Sequence, residues 1–313
     1  MSNNPLVLTL DFGTQSLRTS LVNKKGEIVG LAQQEFEQIY PKPGWVEHNP
    51  TEILSSELAS ITQAIVRAGI TINDIDSIGI TNQRETTILW DKLTGKPVYN
   101  AIVWQCRRTE EFAKKLKQDE SLDELVYNKT GLKIDPYFSA TKIKWILDNV
   151  PEAKVLLNEH RLLFGTVDTF LLWNLTKGKV HATDYTNASR TLLFNIHTLS
   201  WDEDLLNLFE IPKEILPSVH PSSYLYGYTS NEYFSKEVPI TGIVGDQQGS
   251  LFGQLCVNKG DIKNTYGTGC FLLMNTGYEP VKSSRGLITT LGASPTDKPV
   301  YVLEGSVFIG GAC

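Results

Sequence analysis

Three short apolar runs at the start, parted by turns too short to cross anything, leave this chain little choice of opening topology. Residues 6–10, 17–22 and 28–36 run apolar or alternate, and between them stand "DFGTQS" and "NKKGE", both made of turn-forming residues. Connections of that length join antiparallel neighbours, so the chain opens as a β-meander. The Pro/Gly-rich "PKPGWVEHNPTE" then leads into a helix, for which Asn49 is a cap, Pro50 a first residue and Glu52 a charge suited to the positive end. Leu54, Leu58, Ile61 and Ile65 recur at helical spacing and predict its buried face, as far as about Arg67.

Strand-like "SIGITNQ" and "TTILWD" follow, with a turn at "KLTGKP". Residues 107–129 read as charged helix, 138–149 as an amphipathic helix stopping near Pro151, and "LLFGTVDTFLLWNL" as a strand or turn feeding a helix. After Pro239, "ITGIVGDQQGSLFGQL" is strand, glycine, helix; "GDIKNTYGTGCFLLMN" is a hairpin about a Gly-rich turn; short strands follow at 287–291 and 300–303. Strands first, then alternation with helices, predict an α/β fold with a mixed sheet. At 313 residues the chain can bury a sizeable core and hold more than one domain.

Composition closes off several function classes. A net charge of −6 without a basic stripe argues against wrapping nucleic acid. No apolar run approaches the ~18 residues of a membrane span, and the first residues lack the basic region of a signal peptide. Cys106, Cys256, Cys270 and Cys313 show no C-x-x-C spacing, so neither a disulfide framework nor a zinc site is expected, and a reducing cytoplasm is. Cys106 precedes Arg107 and Arg108, which lower a thiol pKa, but free cysteine is usually buried and inert, and that reading is favoured.

Four stretches carry chemistry. The Asp-Phe-Gly at 11–13 comes far too early for a protein kinase, and the chain has neither G-x-x-x-x-G-K-[ST] nor a G-x-G-x-x-G opening a helix near its start. What remains is a plain hairpin or a phosphate-binding one: Gly13 allows close backbone approach, Thr14 and Ser16 offer hydroxyls, Arg18 a charged donor, and Asp11 a carboxylate for Mg²⁺. Alone, the segment favours the plain turn. "NTYGTGCF", with Thr268 between Gly267 and Gly269, repeats its grammar, and two such hairpins facing each other would clamp the phosphates of a nucleotide. Arg84 and Glu85 in "TNQRETT" read as a solvated pair or as partners for the hydroxyls of a small polyol. Asp246 in "VGDQQG" reads as a helix N-cap or as a ligand group at a strand end, where α/β sheets bind.

Longer stretches go further: "EFEQIYPKPGWVEHNP", "GITNQRETTILW", "YNAIVWQCRR", "IDPYFSATKIKWILDN", "LLFGTVDTFLLWNLT", "TDYTNASRTLLFNIHTL", "GDQQGSLFGQLCV" and "KNTYGTGCFLLMNTG". Through them nearly the whole chain resembles the FGGY family of carbohydrate kinases, of the actin/hexokinase-like ATPase superfamily, in its glycerol-phosphorylating branch. The resemblance implies an α/β, ribonuclease H-like domain with a mixed five-stranded sheet flanked by helices over residues 1–252. Residues 253–313 would begin a second, similar domain. It implies ATP and glycerol as substrates, Mg²⁺ as cofactor, a cytoplasmic enzyme, and a homodimer or homotetramer at full length. Arg84, Glu85, Trp104, Tyr137, Asp246, Gln247 and Phe271 would hold glycerol, with Asp246 as general base. Thr14, Gln15, Ser16, Arg18 and Thr268 would line the phosphates, Gly311 would lie near the nucleotide, and Asp11 with Asp246 would hold Mg²⁺.

Phosphoryl transfer asks a protein mainly for positioning and charge stabilisation, which such a set supplies. Phe12, Gln15 and Leu17 depart from the residues common at those places in the branch, a change of detail rather than role. The chain also stops at "EGSVFIGGAC", where the family continues into the part carrying the adenine pocket, so a chain cut short is expected. Residues 221–240 hold no histidine, and "SNEYFSKEVP" lacks the Gly/Arg-rich loop of some relatives, so neither phosphohistidine nor fructose bisphosphate control is expected. A sugar kinase acting on xylulose, and a non-catalytic fragment binding glycerol but not ATP, are the alternatives.

Overall fold

The computed structural model, which describes residues 5–267 and 269–307, opens with the expected meander: β1 (Leu6–Phe12), β2 (Ser16–Val22) and β3 (Ile28–Glu35). β1 and β2 pair antiparallel with Asp11 opposite Arg18, so the turn between them narrows to residues 13–15. Helix α1 (Pro50–Ala68) starts where its cap dictates, Asn49 Oδ1 accepting from Thr51 N at 3.0 Å, and ends at Gly69 with φ 65°.

Its buried face is rotated from the expected one. Ile53, Glu57, Ser60, Ile61 and Ala64 are buried, whereas Leu54, Leu58 and Ile65 lie at the margin. The cause is tertiary: α1 packs along β2 and β3, and Thr19 on β2 donates its hydroxyl to Glu57 Oε1 at 3.0 Å, drawing a carboxyl inward.

The charged stretch after residue 107 divides into Glu110–Lys117 and Glu120–Thr130, the second capped by Asp119. The remaining frame is β4 (Ile75–Asn82), α2 (Ser139–Asn149), α3 (Val167–Leu175), β5 (Ser223–Tyr228), β6 (Pro239–Gly245) and α4 (Asp246–Gly253). Then come β7 (Ile262–Tyr266), β8 (Cys270–Gly277), β9 (Ile288–Leu291) and β10 (Tyr301–Val307). The first sheet runs β5–β6–β4–β1–β2–β3, mixed as expected but with six strands rather than five. The sixth is β5, an edge strand whose register slips between Ser223 and Gly227 and whose "SYLYGY" lacks alternation, so no period-two signal announces it.

The second sheet, β7–β8–β10–β9, is antiparallel throughout. It shares a core with the first part of the chain: Phe271, Leu273 and Val302 pack in one cluster with Leu89, Val103, Phe138 and Ile143. Cys106 is buried in that cluster and its Sγ accepts from Arg108 Nε at 3.1 Å, which fits the structural reading. Among the described residues no helix is long and apolar enough to cross a membrane.

What positions the site is register. β1, β4 and β6 are parallel neighbours, with Phe12 level with Asn82 and Asn82 level with Gly245. Three strands therefore end side by side, and whatever follows each of them meets at one place, the carboxyl edge where such sheets bind ligands.

Candidate active site

The residues that follow those ends are Gly13–Thr14, Gln83–Arg84–Glu85 and Asp246–Gln247. All of these but Gly13, with Trp104, Tyr137, Thr265, Gly267, Gly269 and Phe271, line one cavity of about 170 Å³ between the two sheets. All seven residues expected to hold a polyol are thus brought together: Arg84, Glu85, Trp104 and Tyr137 from the first half of the chain, Asp246 and Gln247 on α4, and Phe271 on β8.

Arg84 and Glu85 are not a solvated pair: both side chains are 1% exposed. Glu304 on β10 accepts from Arg84 Nη1 at 2.6 Å and from Nη2 at 2.9 Å, and its Oε1 also takes Arg190 Nη2 at 3.0 Å. Arg190 Nε in turn donates to Glu85 Oε1 at 2.6 Å. Two guanidiniums and two carboxylates form a closed, neutral, buried quartet, in which each charge is paired as burial requires. Burial raises the Glu304 carboxyl, but Arg190 and Arg84 outweigh it and hold the pKa at about 2. Burial likewise works against the Arg84 cation, and Glu304, Tyr137 and Glu85 more than reverse it. Glu85 sits at φ 60°, left-handed backbone in a non-glycine residue, a strain of about 1–3 kcal/mol that the surrounding bonds must hold. Its carbonyl accepts from the hydroxyls of Thr87 and Ser139, both at 3.1 Å.

Asp246 is the first residue of α4, the cap position falling to Gly245, so the N-cap reading does not hold. Its Oδ1 accepts from Gln247 N at 2.7 Å and lies 3.5 Å from Arg84 Nε, while about 33% of the side chain stays open to the cavity. Burial raises its carboxyl pKa, Arg84 opposing. A Cβ at Gly245 would come within 2.9 Å of the Arg84 side chain, so only glycine lets the strand end approach the guanidinium this closely. Gln247 is oriented by Lys263 on β7: Nζ donates to Gln247 Oε1 at 2.5 Å and to Thr265 Oγ1 at 2.6 Å, which leaves Gln247 Nε2 to face Asp246 Oδ2 at 3.2 Å. Burial lowers the Lys263 pKa to about 8, Arg84 adding to the effect.

An aromatic wall completes the cavity. Trp104 meets Tyr137 edge-on at 5.7 Å and Phe271 at 6.0 Å, and Arg84 Nη2 donates to Tyr137 Oη at 3.3 Å. Lys142 on α2 donates to the carbonyls of Pro136, Tyr137 and Phe138, winding the segment that carries Tyr137.

On the first turn, Thr14 lines the cavity and its Oγ1 accepts from Trp104 Nε1 at 2.9 Å, which leaves the hydroxyl proton free to donate. Gln15 and Arg18 are exposed, Ser16 half-buried with its Oγ taking a bond from Gln33 Nε2 at 3.1 Å. Burial and then the Asp246 charge raise the Asp11 carboxyl, Arg18 opposing. Thr268 and Gly311, expected at the nucleotide, lie outside the described residues.

Gln83, Arg190, Lys263 and Glu304 were not expected at the site. A signal existed for one of them: Glu304 stands alone in the apolar "YVLEGSV", whereas Lys263 faces inward on a strand whose apolar ends, Ile262 and Tyr266, face out, so its pattern points the other way. A lone charge in such a place must be paired or functional.

Residues 6–253 match the FGGY family of carbohydrate kinases, N-terminal domain. The chain is 59% identical over 306 residues to glycerol kinase 1 of Clostridium tetani, an alignment covering 98% of this chain and 61% of that protein. It is 54% identical over 313 residues to glycerol kinase of Photorhabdus laumondii, covering 100% and 62%. The crystal structure of Plasmodium falciparum glycerol kinase with ADP superposes with a TM-score of 0.92 at 40% identity, over 99% of this chain and 62% of that one. Gluconate kinase from Lactobacillus acidophilus, 22% identical over 99% of this chain and 61% of that one, shares the fold with a TM-score of 0.86. This chain spans 61–62% of the length of the curated relatives named.

Proposed function

The chain belongs to the FGGY family of carbohydrate kinases, and from that premise we propose that it forms the polyol-binding part of an ATP-dependent glycerol kinase, with the first phosphate turn and a share of the second. The observation that carries the reading is the convergence of Arg84, Glu85, Trp104, Tyr137, Asp246, Gln247 and Phe271 on one cavity.

A three-carbon triol has few apolar atoms, so recognition rests on paired polar groups. Tyr137, Arg84, Glu85 and Gln247 supply donors and acceptors, and Trp104 and Phe271 cover the carbon face. Asp246 takes the proton of the attacking hydroxyl as that oxygen bonds to the γ-phosphorus, while the bond from phosphorus to the β,γ-bridging oxygen breaks and ADP leaves. A carboxylate with a raised pKa and a partly open face suits this base. Thr14, Gln15, Ser16 and Arg18 receive the phosphates, and the nucleotide roles expected of Thr268 and Gly311 fall outside the described residues. The Asp246 charge pushes up the Asp11 carboxyl, a repulsion that a divalent cation relieves, and hard carboxylate oxygens fit Mg²⁺. Bound there, Mg²⁺ would offset phosphate charge. Residues 1–252 would be the first domain and 253–313 the start of the second, in keeping with the two separate sheets. The full-length enzyme would be cytoplasmic and a homodimer or homotetramer.

Calorimetric titration of this chain with glycerol and with xylulose tests the reading. Glycerol is expected to bind, and Asp246→Asn to hold that affinity within about threefold while abolishing glycerol-dependent ADP release by the chain extended to its relatives' length. Preference for xylulose, or turnover retained without the carboxylate, overturns it.

A further inference from the structure

The first phosphate turn is held by its own carbonyls. Phe12 O accepts from Gln83 N at 2.6 Å, Gly13 O from Gln83 Nε2 at 3.2 Å, and Thr14 O from Gln38 Nε2 at 3.0 Å. With three successive carbonyls drawn into the protein, the turn's amide N–H groups are what it can offer an anion. Among the described residues those of Gly13, Thr14 and Gln15 find no acceptor.

Both side-chain amides that hold the turn converge on His48, which is fully buried. Its Nε2 lies 2.9 Å from Gln38 Oε1 and its Nδ1 3.4 Å from Gln83 Nε2. The Thr14 carbonyl can only accept, so Gln38 turns its NH₂ to the turn and its oxygen to the imidazole. The His48 proton therefore sits on Nε2, and Nδ1 accepts from Gln83. Burial lowers the His48 pKa to about 4, which keeps the ring neutral at physiological pH. The donors run on in one direction: Thr86 Oγ1 gives to Gln83 Oε1 at 3.0 Å and takes Trp104 N at 3.2 Å, and Trp104 Nε1 gives to Thr14 Oγ1 at 2.9 Å. Trp104, Thr86, Gln83, His48, Gln38 and Thr14 thus close a circuit between the aromatic wall of the polyol site and the turn.

We infer that His48 is a positioning residue: its Nε2-protonated imidazole sets the two amides that aim the first turn at phosphate, and joins that turn to the Trp104 wall. The inference rests on reading the turn as a phosphate site.

The test titrates magnesium tripolyphosphate into the ¹⁵N-labelled chain and its variants. Phe36 meets the His48 ring edge-on at 4.9 Å, so His48→Phe keeps the packing and loses the hydrogen bonds. The imidazole ¹⁵N shifts are expected to report the Nε2–H form. His48→Phe should weaken tripolyphosphate binding about tenfold, the factor for one lost well-placed hydrogen bond, and move the amide resonances of residues 13–15. Glycerol affinity should hold within about threefold, since the polyol donors lie outside the circuit. His48→Gln, which keeps a donor and an acceptor, should recover most of the loss. If His48→Phe does not fold, Gln38→Met on a half-buried residue gives the same loss. Binding unimpaired in His48→Phe or Gln38→Met, or an Nδ1-protonated ring, overturns the inference alone. Tripolyphosphate that moves no amide of residues 13–15 in the parent chain overturns the phosphate reading and the inference with it.

Discussion

Arg84 and Glu85 follow an apolar strand as adjacent opposite charges, a pattern that usually marks a solvated pair of little energetic weight. What buries them lies far away in the chain: Arg190 and Glu304 arrive from other elements and complete a neutral quartet. Breaking it is expected to cost far more than its net worth, because the remaining charges stay buried. Glu304→Gln leaves Arg84 and Arg190 short of a counter-charge, and should lower the unfolding free energy in urea by about 3–5 kcal/mol and weaken glycerol binding more than tenfold. The pH dependence carries a sign. The Glu304 carboxyl is held at about 2 against an ordinary 4.5, so its contribution is complete above pH 4.5 and is lost as the pH falls toward 2. The deficit of the variant should shrink over that window. A deficit independent of pH would mean that the carboxylate charge is not what holds the two guanidiniums.

At the scale of elements, α1 separates what is local from what is not. Its start was legible because Asn49 and Pro50 act through neighbouring backbone alone, and its last residue, Ala68, lies one beyond the expected Arg67. Its face was not, because only the fold brings Thr19 opposite Glu57. That buried carboxyl has one oxygen on Thr19 and the other without a hydrogen-bond partner among the described residues, and burial raises its pKa to about 8, the Thr19 bond opposing and Asp11 adding. The folded form keeps its proton to about pH 8, whereas the unfolded chain releases it near 4.5, so stability falls as the pH rises between those values. Glu57→Gln should remove that fall, its stability gaining on the parent by up to about 1.4 kcal/mol per pH unit across the window, as read from urea midpoints at pH 5 and pH 8. Parallel profiles would show that Glu57 ionises in the folded protein as it does in water. The same division governs the site. The strands ending at Phe12, Asn82 and Gly245 could be read from apolar runs, but their level register is a pairing between strands far apart in the chain. The polyol roles came from resemblance, since the local chemistry of Arg84, Glu85 and Asp246 favoured blander readings.

In the whole molecule the cavity belongs to neither sheet alone. Arg84 follows β4 of the first sheet and Glu304 lies on β10 of the second, and Gln247 on α4 is held by Lys263 on β7. Elsewhere the same two parts meet tightly: Thr289 N donates to Gly131 O at 2.9 Å, and a Cβ at Gly131 would come within 2.4 Å of the Thr289 carbonyl oxygen. Leu89, Phe138, Phe271 and Val302 share one core. A small polyol in this cavity therefore touches groups whose positions depend on both sheets, and its binding energy must appear as stabilisation of both. At a glycerol concentration near a hundred times its Kd, global stability should rise by about 2.7 kcal/mol. Amide exchange should slow at residues 83–86 and at 263–266 and 270–272 alike, measured by hydrogen exchange and mass spectrometry. Protection confined to residues 83–86 would mean that the second sheet stands beside the site without forming it, and that Phe271 and Lys263 take no part in holding the substrate.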